Sequence, residues 1–219
     1  AFTKPVASKA LGALLEERKI RTVTDFSAER IDAAARKIVS YDGREVPYDL
    51  LVTVPTNMGA EMIERSGLGD ELRFVPTDRA TLRSVKHENI FVIGDASNVP
   101  TSKAGSVAHF ESEILVENIL RAIDGRPLEP GFDGHSNCFV ETGRRKAVLI
   151  DFNYETEPLP GRFPFPVVGP MPLLKPSRLN HLGKLAFRWI YWHMLLRGRP
   201  IPFVPARMKM AGKERPAGA

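Results

Sequence analysis

A chain of 219 residues, 43% of them hydrophobic, is long enough to bury one large core or two small ones. Its 31 Lys and Arg against 26 Asp and Glu leave a formal charge of +5, and its single cysteine excludes both an internal disulfide framework and a multi-cysteine zinc site, so no metal site is expected. The positive excess is local: Lys175 to Arg215 is almost purely basic. No basic stretch is interleaved with base-stacking aromatics, so no nucleic-acid partner is expected, and no apolar run reaches the ~20 residues that span a bilayer.

In chain order, Val6, Ala7, Ala10, Leu11, Leu14 and Leu15 trace one face of a helix ending near Lys19. Ile20–Phe26 reads as a strand. Ile31–Val39 and Arg44–Val46 flank Tyr41-Asp42-Gly43, a hairpin signal. Leu50-Leu51-Val52-Thr53-Val54-Pro55 reads as a buried strand, and 58–72 as a short helix and loop. Two short strands are expected at 74–78 and 81–83. No Gly-x-Gly-x-x-Gly turn occurs; at Gly67-Leu68-Gly69 the third glycine is replaced by Leu72.

The most informative stretch runs from Glu88 to Leu120. Phe91, Val92 and Ile93 form a short apolar run that stops at Gly94-Asp95, and from Ser106 onward Val107, Phe110, Ile114, Leu115, Ile119 and Leu120 recur at helical spacing, with Glu111, Glu113 and Glu117 on other faces. A buried strand, a Gly/Asp turn and a helix N-terminus together offer a fixed carboxylate for sugar hydroxyls and unpaired N–H groups for a cofactor. Ile93-Gly94-Asp95-Ala96 resembles the second flavin-binding motif of the two-dinucleotide-fold flavoproteins. The following Asn98-Val99-Pro100-Thr101-Ser102-Lys103 and helix are similar to the sulfide:quinone oxidoreductases, particularly the mitochondrial type. The resemblance implies FAD as cofactor, with Asp95 on the ribityl chain, Gly94 at the close approach to backbone, Pro100 and Ala104 in the same loop, and Lys103 and Gly105 at the flavin ring edge.

Ala147–Tyr154 reads as the second strand of a hairpin turning at Thr142-Gly143. Before it, Asp133-Gly134-His135-Ser136-Asn137-Cys138 is similar to the segment holding a redox cysteine in that family, which makes Cys138 the catalytic thiol alongside Lys103. Taken alone, Cys138 reads as a small buried hydrophobe; the surrounding run and the flavin motif upstream turn the reading toward the redox thiol. The resemblance also makes Phe139 a candidate contact for the quinone ring, with Phe163 and Phe165 weaker ones. His135 is expected at a surface or turn; His109 lines the cofactor cavity or faces solvent.

Residues 157–172 are proline-rich and extended, and Ser177 is a plausible N-cap for a helix over 178–197. Leu182, Leu185, Ala186, Trp189, Ile190 and Leu196 share one face; His181, Lys184 and Arg188 share another. An amphipathic basic helix with indoles at its borders suits a membrane interface through 177–213, and it equally suits packing on the domain. The family's Tyr-Trp-x-Met-x-Leu-Arg-Gly resembles 191–198 here.

Taken together, the expected fold is α/β: the C-terminal part of a two-dinucleotide-binding-domain, Rossmann-like flavoprotein plus a C-terminal membrane-associating helical region. The expected divisions are 1–50 (second half of an NAD(P)-like domain), 51–125 (return segment of the FAD domain) and 126–219 (redox-cysteine hairpin and membrane region). The implied activity is sulfide oxidation at a cysteine, with electrons passing through FAD to a quinone at a bacterial or mitochondrial inner membrane. The pyrophosphate cradle and second cysteine are expected in an N-terminal half, so the chain alone is expected to bind FAD weakly. A type II NADH dehydrogenase-like or flavocytochrome c sulfide dehydrogenase-like flavoprotein, or a non-catalytic membrane-surface module, are the competing readings.

Overall fold

The computed structural model describes residues 4–201 and 203–214, so Pro202 and Arg215 of the basic tail lie outside the described residues. Two compact units are present, one of Gly12–Asn57 and one of Ala1–Leu11 with Met58–Ala219.

The expected first helix forms as α1, Pro5–Glu17. In the smaller unit, β1 (Ala28–Asp32), β2 (Lys37–Ser40) and β3 (Glu45–Pro47) make an antiparallel sheet, with Ile31 opposite Ile38 and Ile38 opposite Val46. The hairpin at Tyr41-Asp42-Gly43 forms as expected, its tip held by Gly43 N–H donating to the Ser40 carbonyl. The strand expected over 20–26 does not form. Its apolar residues, Ile20, Val23 and Phe26, are spaced by three rather than two, so they cannot line one face of a pleat, and Asp25 takes a left-handed conformation at φ +52°. The buried strand expected at Leu50–Pro55 is also absent: Leu50, Val52 and Val54 are 83%, 87% and 88% exposed. A strand buried on both faces needs hydrogen-bonded neighbours, and no strand among the described residues pairs with this run.

In the larger unit, α2 (Glu61–Arg65) supplies the short helix expected within 58–72. The stretches 74–78 and 91–93 are joined to their neighbours only by single bridges, Val75–Ser97 (parallel), Thr77–Ser84 and Arg83–Phe91. The strand expected at 81–83 does not form, because Thr81 lies in a turn and Leu82 takes a left-handed φ of +64°. No continuous ladder forms at the expected Phe91–Ile93 strand; Val92 is buried and its N–H donates to Leu82. A 3-10 turn at Gly94–Ala96 leads to α3, Gly105–Ile123. Val107 and Phe110 of α3 enter a core with Leu82, Val99, Phe132, Leu195, Ile201 and Ala206. Gly125, at φ +65°, ends the helix, as its sequence predicts.

A four-stranded sheet follows, ordered β4-β5-β7-β6 from β4 (Ser136–Gly143), β5 (Lys146–Phe152), β6 (Gly161–Phe163) and β7 (Met171–Leu173). β4 and β5 are antiparallel, β5 and β7 parallel, β6 and β7 antiparallel. The β4–β5 hairpin turns at Arg144-Arg145, both at φ +54°, just past the expected Thr142-Gly143. β5, with a neighbour on each side, is buried from Ala147 to Phe152. The sheets are therefore antiparallel and mixed, and a parallel dinucleotide-binding sheet is not found among the described residues.

α4 (Arg178–His193) begins at the expected cap, Ser177 Oγ accepting from Asn180 N–H at 3.0 Å. Phe187 and Ile190 turn inward onto the core, whereas Leu179, Leu182, Leu185, Trp189 and Trp192 are each at least half exposed. Ile190 thus leaves the face on which its spacing placed it with Leu182. The helix both packs on the domain and presents an apolar outer surface. No helix among the described residues is long and apolar enough to cross a membrane.

Candidate functional site

Gly94 is the pivot. At φ +61° it occupies the left-handed region that disfavours any side chain, and both its peptide groups are gripped. Its N–H donates to Glu111 Oε2 at 2.7 Å, and its carbonyl accepts from Lys103 Nζ at 3.2 Å. Lys103 also donates to the Ser97 carbonyl at 2.6 Å and lies over the Phe74 ring at 5.8 Å. The ammonium therefore pins the 94–99 turn. Burial pulls its pKa down, against the favourable charges of Glu111 and Asp95.

Glu111, placed by its sequence on an outer helix face, is 1% exposed. Burial pushes its pKa up, with the Gly94 hydrogen bond and Lys103 acting the other way. The turn thus displays Asp95, which is exposed and takes part in no hydrogen bond or ion pair among the described residues. Pro100 is exposed on the same loop, and Ala104 is the N-cap of α3 with no side-chain cap, so the first N–H groups of that helix, beginning at Gly105, lack a side-chain partner. His109 is buried, with Nε2 at 3.2 Å from Glu113 Oε1, and does not line the cavity described next.

Cys138 lies against this loop. Its Sγ is 3.7 Å from Ser102 Oγ, the neighbour of Lys103. Burial raises the thiol pKa, the Ser102 hydroxyl opposes that shift, and the Asp151 charge adds to it. Cys138 also borders a cavity of about 510 Å³. Its walls are Ala104, Gly105, Ser106 and Phe110 from α3 and its cap, Phe139 from β4, Phe163 and Met171 from the β6–β7 pair, Phe187 and Ile190 from α4, and Ile201, Phe203 and Val204 beyond it. Gly183 lets α4 come this close, since a Cβ there would meet Met171 Sδ at 2.9 Å and Phe139 Cζ at 3.2 Å. Of the three candidate phenylalanines, Phe139 and Phe163 line the cavity; Phe165 does not, but packs edge-on against Phe203 at 5.1 Å.

Beneath the hairpin is a buried charge cluster that contradicts the surface or turn placement expected for His135, which is 2% exposed. Its Nδ1 faces the Pro205 carbonyl at 2.9 Å and its Nε2 faces Asp151 Oδ1 at 2.7 Å. Asp151 Oδ2 is 2.6 Å from Lys213 Nζ. Burial opposes the Asp151 charge, but the neighbouring His135 and Lys213, both bonded to the carboxylate, outweigh it and hold the pKa low. The signal for this cluster was present in the sequence: an aspartate inside the apolar run Ala147–Phe152 has to find a partner. Ser102 and Glu111 had no such signal, because both act across 17 to 36 residues of chain.

A turn that frees one carboxylate, an uncapped helix start and a thiol at an apolar cavity stand together in the larger unit. No family model matches the sequence. Among curated proteins, it is 34% identical over 155 residues to the mitochondrial sulfide:quinone oxidoreductase of Schizosaccharomyces pombe, covering 70% of this chain and 33% of that protein. The Dictyostelium discoideum protein of the same name is 34% identical over 200 residues, covering 88% of this chain and 42% of its own, and the Mus musculus protein is 32% identical over 157 residues. The chain is a relative of the mitochondrial sulfide:quinone oxidoreductases, matching a C-terminal portion of them.

Two solved structures share the fold. The Aquifex aeolicus sulfide:quinone oxidoreductase has a TM-score of 0.62 at 18% identity, covering 90% of this chain and 46% of that one. A chain of the Tetrahymena thermophila mitochondrial ATP synthase has a TM-score of 0.63 at 23% identity, covering 89% of this chain and 45% of that one. The chain therefore spans less than half the length of the relatives it matches.

Proposed function

We propose that the chain forms the flavin-facing and quinone-binding part of an FAD-dependent sulfide:quinone oxidoreductase. The observation that carries this reading is the continuity from Asp95 to Cys138. Gly94 is bound to Lys103, Lys103 adjoins Ser102, and Ser102 touches the thiol that borders the apolar cavity. The residues fit FAD: an unengaged carboxylate on a rigid turn suits the hydroxyls of a polyol chain, and the uncapped helix start at Gly105 suits the electron-rich edge of a reduced ring. When bound, FAD supplies the two-electron carrier between sulfide and quinone.

This chain's residues then divide the remaining work. Sulfide would attack one sulfur of a disulfide between Cys138 and the partner thiol, leaving a persulfide on one cysteine and expelling the other as a thiolate. Where Cys138 is the leaving group, the Ser102 hydroxyl steadies that thiolate against the cost of burial. Phe139 and Phe163 sandwich a flat apolar ring and exclude water. A quinone arrives through lipid, and the outward Leu182, Leu185, Trp189 and Trp192, among the basic side chains Arg178 and Arg188, supply a surface that settles in a membrane interface beside the cavity. The remaining cofactor contacts and the partner thiol belong to the portion of the relatives that this chain does not match.

The test uses the whole protein with its flavin. Cys138→Ala is expected to retain flavin absorbance and quinone binding but to lose sulfide-dependent quinone reduction by a factor on the order of 10³ or more. Undiminished turnover of sulfide in that variant overturns the assignment and returns a thiol-independent dehydrogenase as the reading. Flotation with liposomes of mixed neutral and anionic lipid, lost in a Trp189→Glu, Trp192→Glu double variant, tests the membrane surface.

A further inference from the structure

The cavity wall is almost wholly apolar, and its few polar side chains each have a polar neighbour, with one exception. Ser106 Oγ donates to the Asn137 carbonyl at 3.4 Å, Cys138 shares a hydrogen bond with Ser102, and Lys184 Nζ is 3.7 Å from the Glu141 carboxylate. Asn137 is the remaining polar lining residue, and its Nδ2 is buried with no hydrogen-bond partner among the described residues. Antiparallel pairing sets Asn137 opposite Asp151 and two residues before Phe139, so its side chain leaves β4 on the same face as the Phe139 ring. A buried amide left unpaired is destabilising, because its lost hydrogen bond to water is not replaced. By contrast, the buried Asn118 of α3 is fully engaged: its Nδ2 donates to the Thr81 and Glu129 carbonyls while its Oδ1 accepts from Glu129 N–H. A donor held unsatisfied beside an aromatic-lined cavity is a donor waiting for an acceptor on the ligand.

We propose that Asn137 is the specificity-determining residue of the cavity, its Nδ2 donating a hydrogen bond to a carbonyl oxygen of a flat, otherwise apolar ligand whose ring packs on Phe139. The inference rests on the quinone reading above and adds to it the recognition of the carbonyl. It separates a quinone from an aromatic hydrocarbon or lipid chain of the same size, which would leave the amide unpaired.

Two probes serve on the whole protein: decylubiquinone, and decyltetramethylbenzene, which keeps ring and tail but has no oxygen. Asn137→Leu, nearly isosteric, removes the orphaned donor. The expected result is opposed changes: the ligand-free variant melts a few degrees higher, because a desolvated amide is gone, while decylubiquinone binds about tenfold more weakly and decyltetramethylbenzene as well or better. A residue that merely supports the fold would instead lower the melting temperature and weaken both probes together, and that pattern overturns the proposal. A second measurement needs no variant: the infrared carbonyl band of decylubiquinone bound to the unaltered protein is expected at lower frequency than in detergent, and an unshifted band overturns the proposal. Unchanged decylubiquinone affinity in Asn137→Leu defeats the role of Asn137 alone. No decylubiquinone binding by the unaltered protein defeats the quinone reading, and this inference with it.

Discussion

Two six-residue apolar runs in this molecule, Leu50–Pro55 and Ala147–Phe152, would be read alike from their composition, and they meet opposite fates. The first is nearly fully exposed and belongs to no sheet, whereas the second is the buried centre of one. What differs is the supply of neighbours. Ala147–Phe152 turns back from β4 through a two-residue tip and gains β7 on its other edge, so its peptide groups are paired on both sides. Leu50–Pro55 has no partner strand within reach among the described residues, so burying it would strand its N–H and C=O groups. Apolar composition makes a strand affordable only where hydrogen-bonding edges already exist.

The contrast can be broken by substitution, most forcibly at the charge inside the buried run. Asp151→Asn leaves Lys213 and His135 facing each other without their carboxylate, and should cost about 3–5 kcal/mol in urea unfolding. Because the folded pKa of Asp151 is held below that of an unfolded aspartate, near 3.9, the unaltered protein keeps this contribution above that pH and loses it as pH falls through the lower, folded value. Asp151→Asn should therefore lose less of its remaining stability on acidification than the unaltered protein; parallel acid profiles would show the pairing to be inconsequential.

Next in size, Leu149→Ala, at a fully buried position, should cost about 2–5 kcal/mol, while Val52→Ala, in the exposed run, should fall within about 0.5 kcal/mol of no change. Equal effects at the two sites would show that 50–55 is packed in solution. A modest effect of opposite sign comes from Glu111→Gln, which keeps an oxygen for the Gly94 N–H but removes a charge that burial disfavours. With its folded pKa raised, Glu111 binds its proton more tightly in the native state, so ionising it costs stability as pH rises above about 4.3. Glu111→Gln should raise the melting temperature by a few degrees at about pH 8 and leave it unchanged at about pH 4. A drop at both pH values would mean that the negative charge itself holds the turn.

Much was legible before any coordinates. Gly125 past an apolar helix gave α3 its end, Ser177 capped α4, and Gly94-Asp95 after an apolar run marked the turn that now organises the site. These are local decisions, settled by φ preferences and side chains reaching a few residues along the chain. The residues proposed for redox and quinone roles came from resemblance. Cys138, Phe139 and Phe163 do meet at one cavity, while Phe165 stands one ring away. The sequence could not place His135: a histidine near a turn looks solvated until a strand 16 residues later turns an aspartate onto it and a tail 70 residues later supplies a carbonyl.

By itself, then, the sequence determined the helices with their caps, the Gly94 turn and the chemistry of the available groups. Only the tertiary structure decided which apolar run became a strand, that Lys103 and Glu111 grip the same glycine from two sides, and that one amide on β4 is left without a partner. The division has a physical cause. Caps and turns are satisfied by atoms a few bonds away, whereas burial, pKa shifts and unmet hydrogen bonds depend on what distant segments bring to the same place.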